Sequence, residues 1–188
     1  DKSFRNDPPP TPEYLWGEQY TRPTRNNGYT AVRYEPYVIE RFSALLAALG
    51  ERFDSHPNLE GVALQESALG FVRSIQEETG YTPERYRDAL IEIVQNAADS
   101  FPTSQVFWYM NFLSGKQAYL ADVAEAVAPA GVLMGGPDIL PDDHALQKHV
   151  YPLYDQFKGK IRLFCSAQNS GTLPLNWSYS GYTSLCRV

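Results

Sequence analysis

The sequence predicts an α/β fold, a partial (half) (β/α)8 barrel of about four parallel strands alternating with helices. Three observations carry this expectation. Short apolar runs alternate four times with amphipathic stripes, and the run 105–112 is apolar on both faces, as in a strand sandwiched between layers. The chain has 188 residues, fewer than the roughly 250 of a closed eight-stranded barrel. One domain over 1–188 is expected, divided into an extended loop region (1–34), helix–strand repeats (35–171) and an irregular tail (172–188).

The elements follow in order. Residues 1–34 carry Pro8-Pro9-Pro10, Pro12, Pro23 and Asn26-Asn27-Gly28 among Tyr14, Trp16, Tyr20, Tyr29 and Tyr34. Neither helical nor strand periodicity survives there, so a long aromatic, proline-rich loop is expected. From Pro36, the residues Val38, Phe42, Leu45, Leu46 and Leu49 recur at helical spacing, with Gly50 closing the segment. Residues 61–66 read as a buried strand. Thr82 and Pro83 then give an N-cap and a first helical position, ahead of the stripe Tyr86, Leu90, Ile93, Val94 and Ala97. Residues 105–112 make the second strand, with Trp108 assigned to the core. A helix over 115–128 turns Leu120, Val123, Ala124 and Val127 inward, and 131–136 is the third strand. Pro141, Asp142 and Asp143 open a helix with Leu146, Val150, Leu153, Tyr154 and Phe157 inward, and 160–167 is the fourth strand.

Composition narrows the function classes. With 16 Lys and Arg against 22 Asp and Glu, the net charge is −6 and no basic cluster stands out. The electrostatic footprint of nucleic-acid binding is missing. No stretch approaches 18 uninterrupted apolar residues and the start lacks signal-peptide features, so a soluble, cytoplasmic protein without a membrane partner is expected. Asp1 in place of Met indicates a processed start or a piece of a longer chain. Cys165 and Cys186 are too few for a disulfide framework and read as a buried and a terminal thiol. His144 and His149 miss the i, i+4 spacing of helical metal ligands, and no glycine-rich phosphate loop or GxSxG elbow occurs. No metal and no cofactor are expected.

In parallel α/β folds the reactive groups gather where strands end. Those positions hold Gln65 and Glu66, then Asn111, then Asp138 after Gly135-Gly136-Pro137, then Gln168 and Asn169. Carboxylates can act as acid and base and amides can bond hydroxyls, the needs of a sugar site. Glu66, ending a buried strand beside aromatic segments, is placed to protonate a leaving group. Trp16 and Trp177 sit in polar loops and are candidate platforms for sugar rings.

The run Arg41-Phe42-Ser43-Ala44-Leu45-Leu46-Ala47-Ala48-Leu49-Gly50, followed by Phe53-Asp54-Ser55-His56-Pro57-Asn58-Leu59-Glu60-Gly61-Val62 and ending in Gln65-Glu66, resembles the middle of (β/α)8 glycoside hydrolases of the retaining, clan-A type. The resemblance implies that Glu66 is the acid/base group ending strand four. The later strands would then be five, six and seven. The chain departs from that pattern at two places: Gln65 stands where the family has Asn, and the amides Gln168 and Asn169 stand where its nucleophilic Glu ends strand seven. Two readings follow. The first is a carbohydrate-active protein with Glu66 as acid and Asp138 as base of an inverting reaction, or with a nucleophile from a partner chain. The second is a non-catalytic half barrel that binds a saccharide or another small polar ligand, or that self-associates as a scaffold. An open half barrel leaves sheet edges uncovered, so a homodimer or higher oligomer is expected.

Overall fold

The computed structural model of the protein describes residues 7–136, 143–166 and 185–187. Its N-terminal segment is more ordered than its prolines and tyrosines predict. β1 (Thr21–Pro23) and β2 (Tyr29–Ala31) form an antiparallel hairpin. The hairpin closes through the Thr24 N–H, which donates to the Gly28 carbonyl at 2.8 Å, and through Asn27 in the left-handed region at φ 57°. Three-residue strands are too short for alternation to show in a sequence. What fixes this segment is burial: Thr30, Val32, Arg33 and Tyr34 are all at most 2% exposed.

α1 (Pro36–Phe53) begins with a proline in its first turn, where the missing N–H costs nothing. The chain continues through β3 (Gly61–Ala63), the short α2 (Arg73–Glu78) that the sequence did not reveal, and α3 (Pro83–Ser100). The expected cap of α3 is present, with Thr82 Oγ1 accepting from the Arg85 N–H at 3.0 Å. α1 itself differs in two ways from its pattern. It runs past Gly50, because that glycine serves packing and not termination: a Cβ there would lie 1.9 Å from the Ser100 carbonyl oxygen, where α1 and α3 press together. Its core face is accordingly Val38, Ile39, Leu46 and Gly50, while Leu45 and Leu49 turn outward at 52% and 37% exposure.

β4 (Gln105–Tyr109), α4 (Tyr119–Val127), β5 (Leu133–Gly136), α5 (His144–His149), α6 (Tyr151–Phe157) and β6 (Arg162–Ser166) complete the alternation. α4 starts later than its apolar stripe allows, because Gly115 takes φ +82° and opens a loop. The single helix expected after residue 141 is two short ones, broken ahead of Pro152, whose ring and missing N–H interrupt the helical ladder. Asp143 caps the first of them, accepting from the Ala145 and Leu146 N–H groups at 2.9 Å.

β3, β4, β5 and β6 pair in parallel and in sequence order. β7 (Leu185–Arg187) adds an antiparallel strand to β6, at a place where the sequence reads as irregular tail. The helices share one face of the sheet, where Val106, Trp108, Met110, Val132 and Met134 meet Leu90, Val94, Leu120, Val123, Leu153 and Phe157 in one core. Alternation sends Phe107, Leu133 and Phe164 to the opposite face, beside Tyr109. The Phe164 ring meets Phe107 and Tyr109 edge-on, at 5.2 and 5.0 Å between centroids. Among the described residues no helix is long and apolar enough to cross a membrane.

At the opposite end of the sheet from the strand termini discussed below, Asp54 joins the end of α1 to the start of β4. Its carboxylate accepts from the Thr103 and Ser104 N–H groups at 3.0 and 2.8 Å and from the Thr103 hydroxyl at 2.6 Å. Desolvation opposes ionisation here, but these bonds together hold the carboxyl below the usual aspartate value. A lowered folded-state pKa gives stability that is present above the unfolded value, about pH 4, and is lost as pH falls through the folded value. Asp54→Asn is therefore expected to lower the urea midpoint more at pH 7 than at pH 3. Equal losses at the two pH values would show that the charge plays no part.

Candidate functional site

Parallel strands deliver their C-terminal residues to one edge of the sheet, and there Glu66 and Asn111 come together. Pairing with β4 continues past β3: the Leu64 N–H donates to the Phe107 carbonyl at 2.9 Å and the Ser67 N–H to that of Tyr109 at 3.1 Å. Glu66 is held between these two bonds. Its half-buried carboxylate accepts from Asn111 through Oε2 and Nδ2.

Asn111 is 4% exposed and its amide cannot turn over. Its Oδ1 accepts from the Ala68 and Phe112 N–H groups at 3.0 and 2.7 Å, which leaves Nδ2 to face the carboxylate. The Ser67 hydroxyl accepts from the Asn111 N–H at 2.9 Å and lies 3.1 Å from both Asn111 Oδ1 and the Phe112 carbonyl. Gln117 ties the next loop in place, donating to the Asn111 and His149 carbonyls at 2.7 and 3.1 Å and accepting from the Leu113 N–H at 2.9 Å.

Beneath this pair lies a buried cation. Arg33 is 2% exposed and donates through Nη1 to the Glu66 carbonyl and, at 3.5 Å, to the Tyr86 hydroxyl. Its Nε and Nη2 find no partner among the described residues. Burial pushes the Tyr86 hydroxyl above the usual tyrosine range, and the Arg33 charge offsets this only in part. Tyr86 therefore stays a neutral donor, bonding to the Ser67 carbonyl at 2.5 Å. The backbone that carries Glu66 and Ser67 is thus gripped from below by two side chains.

Glu66 lines a cleft of about 1240 Å³ together with Arg33, Tyr14, Tyr109 and the α1 residues Leu45 and Leu49. Trp16, expected as a platform, is not among the lining residues. It is 45% exposed and its indole N–H donates to the Thr11 carbonyl at 2.7 Å, while Tyr14 lines the cleft. Trp108 belongs to the core at 1% exposure. Asp138, Gln168, Asn169 and Trp177 lie outside the described residues. Among the described residues no group of three His, Cys, Asp or Glu is placed to hold a metal ion.

No family model, curated protein or solved structure matches this chain. The site must therefore be read from its own chemistry. Among the described residues it holds the Glu66 carboxylate with the Asn111 amide beside it and a buried guanidinium below. Ser67, Gln117 and Arg33 have no part in the sequence-based expectations, and Tyr86 enters them only as part of the α3 stripe. Only Arg33 carried a usable signal there, as a charged residue inside the apolar run Ala31-Val32-Arg33-Tyr34. A charge in such a run needs a buried polar partner, and here that partner is the Glu66 backbone.

Proposed function

We propose that this chain is a glycosidase-like partial (β/α)8 barrel that acts on a saccharide, with Glu66 as its general acid. The observation that carries the reading is the Glu66 carboxylate, oriented by an Asn111 amide that cannot flip, at the strand ends and in the lining of a large cleft. In this reaction Glu66 gives its proton to the glycosidic oxygen as the bond to the sugar carbon breaks. The second carboxyl is Asp138, two residues beyond β5, which takes a proton from the attacking water in an inverting displacement. Gln168, Asn169 and Trp177 complete the sugar contacts.

A panel of aryl glycosides tests this. Glu66→Gln keeps the shape and removes the transferable proton, so kcat on substrates with poor leaving groups is expected to fall by about 100-fold or more. Substrates with strongly acidic phenol leaving groups should lose much less. Unchanged turnover on both kinds would overturn the assignment.

One observation favours a second, non-catalytic reading as a self-associating scaffold. Among the described residues β3 is an edge strand of the sheet, and α1 exposes Leu45, Leu49 and Phe53 at helical spacing. A second copy of the chain covering this edge would make a homodimer. Light scattering is then expected to give twice the chain mass, with Leu49→Glu shifting the equilibrium toward monomer. A monomer at all concentrations would dismiss this reading.

A further inference from the structure

A second cleft, of about 700 Å³, opens at the same end of the sheet, in the range of small-molecule sites. Ala68 belongs to its wall and Glu66 to that of the first cleft, so a single turn of chain around Ser67 separates the two. Its floor is apolar and aromatic, from Leu69, Phe71 and Phe112. Among the described residues its charged groups are of one sign: Arg25 and Lys116 line it with His149, and no Asp or Glu does, in a chain whose net charge is −6.

The two cations are presented by built loops. Gly70, at φ +75°, turns its carbonyl to accept from the Arg25 N–H at 3.0 Å, which docks the β1–β2 turn against the loop after β3. Gly115, at φ +82°, seats the other loop so closely on α3 that a Cβ would come within 2.9 Å of Pro83 Cγ. Tyr81 donates to the Ser114 carbonyl at 2.7 Å and Gln76 to the Ser114 hydroxyl at 2.9 Å, fixing the segment that carries Lys116. The Lys116 ammonium rests outside the lining of the cleft, 4.5 Å from the Tyr119 ring centre and 3.2 Å from the Tyr119 hydroxyl, whose proton goes to Glu84 at 2.8 Å; its side chain is exposed, and an anion in the cleft would have to draw it from there. Arg25 makes no ion pair among the described residues.

We infer that this second cleft binds the carboxylate of an acidic sugar unit, with Arg25 and Lys116 as its anion contacts and the aromatic floor beneath the ring. The guanidinium offers paired donors to a carboxylate, the ammonium adds a point charge, and the aromatic faces suit the C–H side of a sugar. That the ligand is a sugar rests on the saccharide reading of Glu66. The anion contacts do not depend on it.

Amide chemical shifts of the intact protein, titrated with D-glucuronate, D-glucose and inorganic phosphate at low ionic strength, test it. D-glucuronate is expected to move the signals of residues 68–71 and 112–117 and to bind at least tenfold more tightly than D-glucose. The double variant Arg25→Gln/Lys116→Gln should lose at least tenfold in that affinity with an unchanged melting temperature, since both side chains are exposed. Glu66→Gln should bind D-glucuronate as well as the wild type does, even where it abolishes turnover, so the two assignments fail separately. Equal affinity for D-glucose, or a double variant that binds normally, would overturn the anion site. Binding of phosphate without D-glucuronate would overturn the sugar assignment.

Discussion

Asn111→Leu is expected to cost about 3 kcal/mol or more of stability, because two buried N–H groups, of Ala68 and Phe112, lose their acceptor at once. Asn111→Asp separates the structural part of this from the functional part. The carboxylate keeps the acceptor that those N–H groups need but removes the Nδ2 donor and sets a like charge against Glu66. Its unfolding midpoint should therefore lie between those of Asn111→Leu and the wild type, while any turnover that depends on Glu66 falls at least tenfold. Urea denaturation and aryl-glycoside kinetics on the two variants read both quantities. Asn111→Asp retaining full turnover would mean that Asn111 does not orient Glu66.

Gly50→Ala is the second large effect, and its sign is diagnostic. Within an isolated helix the change would stabilise by about 1 kcal/mol. Here the new Cβ would fall 1.9 Å from the Ser100 carbonyl oxygen and 2.8 Å from its carbon, both backbone atoms that cannot move aside as a side chain end would. Overpacking of this kind costs about 1–3 kcal/mol and more where the neighbour is rigid. The net result expected is a loss of about 2 kcal/mol, with α1 and α3 forced apart. Thermal denaturation decides it, and a raised melting temperature would show that the two helices are not in register at Gly50. Gly135→Ala, where Cβ would meet the Phe164 carbonyl oxygen at 2.2 Å across the β5–β6 pair, should behave alike.

The same two residues show where sequence reasoning reached and where it stopped. Gly50 reads as a helix end because glycine commonly stands there, and only the approach of α3, about 50 positions later in the chain, reveals its purpose. Asn111 was legible as a strand-end amide, and Glu66 as a strand-end carboxylate, because two-sided apolar runs mark buried parallel strands. That the two meet depends on β3 and β4 being neighbours in parallel register. Arg33 was out of reach for a similar reason: a hairpin with three-residue strands leaves no periodic trace, and the partner that stabilises the buried charge lies 33 positions away.

Local patterning by itself determined the α/β class, the alternation of β3, β4, β5 and β6 with helices, the Thr82 cap and the inward stripes of α3 and α4, since period and capping act between neighbours in the chain. The tertiary structure alone decided which face of α1 is buried, that the N-terminal segment enters the core, and that Glu66 is gripped by Asn111 above and Arg33 below. Those outcomes come from contacts between distant segments, whose energies depend on shape and on the pairing of buried polar groups.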